Sequence, residues 1–136
     1  MHRRYGKHAT FLAVYVREAH PGDGAWPHEF KNESGGPINQ PKQLGEREGV
    51  ASECSKTLHI SMPLLVDEVD DRVGRAYSGM PDRLYVIDRQ GQITYKGGRG
   101  PFGFKPGEME QALLMTLLDE QRNDLPAVAG TDHTEP

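Results

Sequence analysis

The stretch PDRLYVIDRQGQITYKGGRGPFGF, residues 81–104, decides the fold of this 136-residue chain. Leu84–Ile87 is a short apolar run of β-branched and aromatic residues, which is typical of a buried strand. Gln92–Lys96 alternates polar and apolar residues, as does a strand with one solvent-exposed face. Because the turn-forming residues Asp88–Gly91 separate the two runs, the stretch predicts a β-hairpin.

A glycine-rich turn follows the hairpin. Gly97–Phe104 holds four glycines around a single cation, Arg99. Glycine permits backbone angles and close approaches that other residues do not, so the turn can hold the arginine in place. A guanidinium held in this way can bind a carboxylate or a phenolate through paired hydrogen bonds. The alternative is a well-shaped surface loop without a ligand.

The segments around the hairpin predict strands alternating with helices. Apolar runs at Thr10–Arg17 and Met62–Asp67 are typical of strands buried on both faces in a parallel sheet. The predicted helices are a last turn ending at Tyr5, then Lys42–Leu58, Asp70–Tyr77 and Glu108–Gln121. In the second of these, Leu44, Val50, Ala51, Cys54 and Leu58 give an apolar face. This order of elements predicts an α/β fold.

Composition excludes several classes of function. The net charge of −4 gives no electrostatic reason to expect nucleic acid or an anionic membrane as a partner. The longest apolar run, Phe11–Val16, is far shorter than a membrane helix, and the chain opens on no signal peptide, so we expect a cytoplasmic protein. The single cysteine, Cys54, excludes an internal disulfide and a multi-cysteine zinc site. The acidic run Asp67–Asp71 lacks the spacing of a calcium loop and predicts a helix cap.

Two further residues are candidates for a site. His20 follows the first strand, at the edge where α/β folds place ligands, although it could equally be a surface histidine before a turn. Asp82 lies at the start of the hairpin, next to Pro81, a candidate cis-proline. Its side chain either faces a pocket or forms a salt bridge with Arg83. The long loop over residues 18–41 has no helical or strand period, which is typical of functional or disordered loops.

Three segments, RLYVID, YKGGRGPFGF and YVREAHPGDGAW, together resemble the iodothyronine deiodinase family and its bacterial relatives over most of residues 5–120. The resemblance implies a thioredoxin-like fold, with a mixed central sheet flanked by helices, of which this chain lacks the first strand and most of the first helix. Residues 1–122 would form that domain and residues 123–136 a disordered tail. The family's selenocysteine or cysteine motif would fall before Met1.

The resemblance also implies a function. It points to an oxidoreductase that uses a thiol or selenol for reductive dehalogenation or for reduction of peroxides or disulfides. His20 would bind the substrate or pass it a proton, Asp82 and Arg99 would bind the substrate, and Cys54 would be either a resolving thiol or a core residue. We expect a small-molecule substrate, an external reductant such as thioredoxin or glutathione, no bound cofactor and no metal, with a homodimer left open. The alternative is a non-catalytic thioredoxin-like binding module.

Overall fold

The computed structural model describes residues 1–25, 27 and 35–124. Its elements follow the predicted order, and they are α1 (His2–Tyr5), β1 (Ala13–Tyr15), α2 (Leu44–Thr57), β2 (Leu64–Val66), α3 (Arg72–Ala76), β3 (Tyr85–Ile87), β4 (Ile93–Lys96) and α4 (Pro106–Asp124). Each predicted helix and strand is therefore present, and the α/β class is confirmed. The predicted tail lies outside the described residues except for its first two residues, which complete α4.

The described strands form two small sheets rather than one mixed sheet. β1 and β2 are parallel, with Val14 opposite Leu65, and α2 connects them. β3 and β4 form the predicted antiparallel hairpin, with a bulge after Val86. The hairpin turn follows from its sequence, because the Asp88 carboxylate accepts the N–H groups of Gln90 and Gln92 at 3.0 and 2.8 Å.

The buried face of α2 differs from the predicted one. Its buried residues are Arg47 and Ala51, whereas Leu58, predicted to be apolar core, is 66% exposed. Arg47 is buried because its Nη1 donates hydrogen bonds to the carbonyl oxygens of Asp67 and Glu68, at 3.2 and 2.6 Å. These carbonyls follow β2, and that of Glu68 also accepts the N–H of Asp71 at 2.8 Å, so Arg47 adds a charged donor to this backbone segment.

The acidic run after β2 caps α3, as predicted. The buried carboxylate of Asp67 accepts the N–H groups of Val73 and Gly74, at 3.1 and 2.8 Å. Burial alone would raise the pKa of Asp67, but these N–H donors and the nearby charge of Arg47 outweigh it and lower the pKa below its ordinary value. Asp71 also forms an ion pair with Arg17 at 3.7 Å, which joins the start of α3 to the end of β1.

The expectation that the first strand is buried on both faces is wrong for the described residues. Val14 and Leu65, which lie opposite each other, are 43% and 48% exposed. Successive side chains of a strand point to opposite faces, so these two lie on the face that α2 does not cover. Within the described part of the chain the buried apolar residues are Ala51, Val86 and Leu113, which together make a small core.

Polar contacts join α1, which precedes the parallel strand pair, to α4, which packs on the hairpin. Arg4 and Tyr5 of α1 both donate to the carboxylate of Glu110 in α4, at 2.6 and 2.8 Å. In the second half, Arg89 in the hairpin turn forms ion pairs with Glu120 and Asp124 near the end of α4. None of the described helices has the length and apolar content needed to cross a membrane.

Replacing Asp67 by asparagine will destabilise the protein at pH 7 by about 1–3 kcal/mol, because the α3 N–H groups lose a charged acceptor. The native pKa of Asp67 is lowered, so its stabilisation is present above the unfolded pKa of about 4 and is lost as the pH falls through the native value. Urea unfolding between pH 7 and pH 3 will therefore show a stability difference that shrinks in acid. Glu48→Gln, on an exposed position of α2, is the control. A difference that stays constant with pH would contradict this account.

Candidate functional site

The end of β1 carries the first group of polar side chains. Glu18 follows the strand by three residues, is half-buried, and accepts a hydrogen bond from the hydroxyl of Tyr15. His20 lies two residues further on and is exposed. The carboxyl end of a parallel strand is where α/β folds place ligands, so the structure places both side chains at a suitable edge.

Sequence reasoning missed Glu18 and found only His20. Burial raises the pKa of Glu18, and the positive charge of Arg47 offsets part of that rise. A raised pKa makes a half-buried carboxyl a better proton donor than an exposed glutamate, as is common at functional sites. The signal was present in the sequence, because the carboxyl stands two residues before His20 and directly after a predicted strand.

Cys54 lies on α2, in an electrostatic environment that it shares with Glu18. Burial raises the pKa of the Cys54 thiol, and the carboxylate of Glu18 raises it further. A thiol with a raised pKa is a slow nucleophile, because only the thiolate reacts. Its resolving role stays a prediction.

Asp82 and the turn that holds Arg99 lie in contact. The N–H of Gly100 donates to the carbonyl oxygen of Asp82 at 3.1 Å. A Cβ on Gly100 would overlap the Asp82 carboxylate, so a larger residue there would have to displace that carboxylate. The peptide bond between Met80 and Pro81 is cis, as the sequence allowed. The structure thus brings together two of the predicted site residues that are separated by a hairpin.

The salt-bridge alternative for Asp82 is not formed. Its Oδ1 atom is buried without a hydrogen-bond partner, and so is the Nε atom of Arg83. Buried polar atoms are normally hydrogen-bonded, because leaving them unpaired costs free energy. An unpaired carboxylate oxygen next to an arginine-bearing turn is therefore a candidate contact for a bound molecule.

The glycine-rich turn closes on itself and leaves Arg99 exposed. The N–H of Gly103 donates to the carbonyl oxygen of Arg99 at 2.9 Å. A Cβ on Gly103 would lie 2.6 Å from the Arg99 nitrogen, so a larger residue would open the turn. Phe102 at its tip is 93% exposed. The turn thus presents a cation and an aromatic ring on one short, constrained segment.

The segment before Asp82 lies next to the end of β1. A Cβ on Gly79 would lie 3.8 Å from Cγ1 of Val16, an ordinary van der Waals contact. Tyr77, two residues earlier, is held by Tyr85, whose hydroxyl donates to its carbonyl oxygen and whose ring packs edge-on against it. Gly79, three residues before Asp82, therefore lies near Val16, two residues before Glu18.

The long loop after β1 is closed at its base. The N–H of Gly22 donates to the carbonyl oxygen of Ile38 at 2.8 Å, and that of Gln40 donates to the Asp23 carboxylate at 2.9 Å. A cleft of about 320 Å³ lies beside this base, between Asp23 and α2. Trp26 and residues 28–34 of the predicted loop lie outside the described residues.

A second cleft, of about 290 Å³, lies between the hairpin and α4 and is lined by Thr94, Met115 and Asp119 among others. Neither cleft is lined by His20, Asp82 or Arg99. Within the described residues no group of three or more histidine, cysteine, aspartate or glutamate side chains is arranged to hold a metal ion. The candidate site is therefore an open surface of acid, base and cation rather than an enclosed cavity.

The fold and this surface define the class as an α/β domain with a glutamate and a histidine after a parallel strand and an arginine-bearing, glycine-rich turn in contact with Asp82. The sequence model of the iodothyronine deiodinase family matches residues 1–116. The chain belongs to that family. It is 36% identical over 117 residues to thyroxine 5-deiodinase of Gallus gallus, a match that covers 86% of this chain and 41% of the relative.

Two other relatives give a similar result. The chain is 36% identical over 109 residues to type II iodothyronine deiodinase of Petromyzon marinus, covering 77% of this chain and 35% of that protein. It is 32% identical over 101 residues to type I iodothyronine deiodinase of Xenopus laevis, covering 74% and 37%. The chain thus spans about two fifths of the length of the curated relatives it matches.

Replacing Gly100 by alanine will displace the Asp82 carboxylate, because the added Cβ overlaps it. Overpacking of this kind typically costs about 1–3 kcal/mol of stability. Thermal unfolding, together with backbone NMR shifts at Asp82, measures both effects. Gly107→Ala in α4 is the matched control, since its Cβ meets no atom within 4 Å. Amide shifts at Asp82 that move no more in Gly100→Ala than in Gly107→Ala would contradict this account.

Replacing Glu18 by glutamine will lower the pKa of Cys54, because the neighbouring carboxylate no longer disfavours the thiolate. Burial remains, so the pKa returns only part of the way to its ordinary value. The rate of alkylation by iodoacetamide as a function of pH measures this change. Glu48→Gln, on an exposed position of α2, is the control. The account is wrong if both variants alkylate like the wild type.

Proposed function

We propose that this chain is the ligand-binding part of a thioredoxin-like oxidoreductase of the deiodinase type, acting on a small molecule through thiol or selenol chemistry. The observation that carries the proposal is the contact between Asp82 and the turn holding Arg99. Gly79, three residues before Asp82, lies near Val16, which precedes Glu18 and His20 in the chain. Membership of the deiodinase family supports the same class of chemistry.

The finer fold belongs to the same proposal. Among the described residues β1 pairs only with β2, and β3 only with β4, so each of these pairs has unpaired edges. Parallel strands are normally covered on both faces, yet the side chains of Val14 and Leu65 are exposed to solvent. One further strand between β1 and β3, followed by a helix over Val14 and Leu65, would complete a mixed thioredoxin-like sheet. We propose that the full-length protein supplies both elements.

The reactive atom belongs to that same proposed segment. The printed sequence has one cysteine, Cys54, and its raised pKa keeps it a thiol at neutral pH. A cysteine or selenocysteine at the N-terminus of the added helix would instead be stabilised as an anion by the helix dipole. In our proposal this residue is the nucleophile and Cys54 is at most its resolving partner.

For an iodinated aromatic substrate we propose a reductive deiodination in two stages. The selenolate or thiolate attacks iodine, the carbon–iodine bond breaks, and the carbon takes up one proton. Two molecules of glutathione, or one molecule of the thioredoxin dithiol, then reduce the chalcogen–iodine bond, which regenerates the selenolate or thiolate and releases iodide, a disulfide and two protons. No bound cofactor is needed in this scheme, and we propose that it operates in the cytoplasm.

The roles of the described residues follow from their positions. Glu18, hydrogen-bonded to Tyr15, and His20 would deliver the proton to the substrate carbon. Asp82 would bind a positively charged or hydroxyl group through its unpaired Oδ1. Arg99 would bind a carboxylate or phenolate. These roles describe a substrate that carries an acidic group and a hydrogen-bond donor.

A non-catalytic thioredoxin-like binding module is the second candidate. The observation that favours it is the raised pKa of Cys54, because the only thiol of the printed sequence is poorly suited to redox chemistry. Such a module would bind the same class of small molecule at Asp82 and Arg99 without turning it over. The two candidates therefore differ in turnover and not in the ligand.

In the full-length gene product, His20→Asn will lower kcat about 100-fold, because loss of a proton donor typically has this effect. Arg99→Lys will raise KM about tenfold, because lysine cannot form the paired hydrogen bonds of a guanidinium. Iodide release from an iodinated phenol and peroxide consumption, each with excess thiol, are the assays. Lys56→Met, an exposed position of α2, is the control. Binding without turnover in both assays would support the module and refute the enzyme.

A further inference from the structure

Asp71 is a buried aspartate that begins α3 in an unusual backbone conformation. It is 8% exposed and is the N-cap of the helix, with a φ of 56° and a ψ of 38°. A positive φ is uncommon outside glycine and costs conformational free energy, so it persists only where other contacts hold the residue in place. The described non-glycine residues with positive φ are His59, Asp71 and Ser78, and of these only Asp71 is buried.

The carboxylate of Asp71 does not cap the helix that it begins. An aspartate at this position usually accepts N–H groups of the first helical turn. In this protein those groups, from Val73 and Gly74, donate to Asp67 instead, and the side chain of Asp71 makes no capping hydrogen bond. The Asp71 carboxylate is therefore available for a contact outside α3.

The contact that it makes is with Arg17, two residues after the end of β1. The backbone N–H of Arg17 donates to Oδ1 of Asp71 at 3.4 Å, and Nε of Arg17 lies 3.7 Å from Oδ2. The Arg17 side chain is 53% exposed, and exposed ion pairs contribute little, so the N–H contact is the more important of the two. Gly74 leaves room for this arrangement, because a Cβ at that position would overlap Oδ1 of Asp71.

This contact lies where the strand pairing stops. β1 pairs with β2 only as far as Tyr15. Past this point the side chain of Asp71 takes the place of a strand partner for the Arg17 N–H. Glu18 follows Arg17 directly and His20 lies three residues after it, so the backbone position at Arg17 sets where both side chains begin.

We propose that Asp71 is a positioning residue for His20. By holding the N–H of Arg17, its carboxylate fixes the direction in which the chain leaves β1, and with it the place of the imidazole three residues further on. Asp71 does not touch the substrate in this account. The inference rests on the proposed function, because it is there that His20 delivers a proton to the substrate.

Hydrogen exchange of the ¹⁵N-labelled protein tests the contact itself. Asp71→Gly removes the carboxylate and accepts the positive φ, so we expect the Arg17 amide to exchange about tenfold faster and the amide shifts of residues 18–20 to move. Asp71→Asn keeps a side-chain oxygen as acceptor and tolerates the same φ, so it should restore slow exchange. His59→Gly is the matched control, because it places glycine at a second position of positive φ, which is exposed.

A second variant covers the case in which Asp71→Gly does not fold. Gly74→Ala leaves Asp71 in the chain but displaces its carboxylate, so the same faster exchange at Arg17 is expected. The proposal is overturned if the Arg17 amide exchanges no faster in these variants than in His59→Gly. Unchanged amide shifts at residues 18–20 would overturn it as well.

In the full-length enzyme, a double-mutant cycle separates the positioning of His20 from a general loss of stability. We expect Asp71→Gly to lower kcat about tenfold with KM unchanged, because a misplaced proton donor loses its reactive geometry, but to lower it less than about twofold in the His20→Asn background. Equal losses of kcat in the two backgrounds would contradict the proposal. If the full-length protein shows no turnover, the proposed function fails, whereas the exchange measurement still decides whether Asp71 holds the end of β1.

Discussion

The structure depends on a ring of polar contacts that closes around the parallel strand pair. Arg47 on α2 binds the carbonyls that follow β2, and the Asp67 carboxylate at the same point binds the first N–H groups of α3. Asp71 at the start of α3 then forms an ion pair with Arg17, directly after β1. A parallel pair of three-residue strands has little apolar area of its own, so these contacts fix where β1 ends. The positions of Glu18 and His20 follow from that constraint.

The hairpin and the glycine-rich turn carry the other two candidate site residues, Asp82 and Arg99. The hairpin and α4 pack together, and the glycine-rich turn after β4 folds back until Gly100 contacts Asp82. The contact between Gly100 and Asp82 is possible because Gly100 has no side chain. The contact of Arg47 with the carbonyls after β2 depends instead on its charged side chain. Within the described residues the contacts of Arg4 and Tyr5 with Glu110 are among those that join the two parts of the fold.

The sequence predicted the order and type of the elements, because apolar runs, turn residues and helical periods are local signals. It also identified the deiodinase family, which the comparisons confirm. It did not predict the burial of Arg47, since a pattern of apolar and polar residues assigns arginine to the surface, whereas the hydrogen bonds of Arg47 to the carbonyls after β2 depend on the folded chain. The strands are shorter than their apolar runs because each has an edge without a partner in the described residues. The contact of Asp82 with Gly100 could not be predicted from the sequence either, because it depends on how the glycine-rich turn folds back onto the start of the hairpin.

The central claim is that a small molecule binds where the end of β1, Asp82 and the Arg99 turn converge. The most direct measurement is a titration of the ¹⁵N-labelled protein with an iodinated phenol, followed through its backbone amide shifts. The account predicts that the perturbed amides cluster at 18–20, 82 and 99–100. Perturbations confined to the cleft between the hairpin and α4, at Thr94, Met115 and Asp119, would contradict it, and so would the absence of any perturbation.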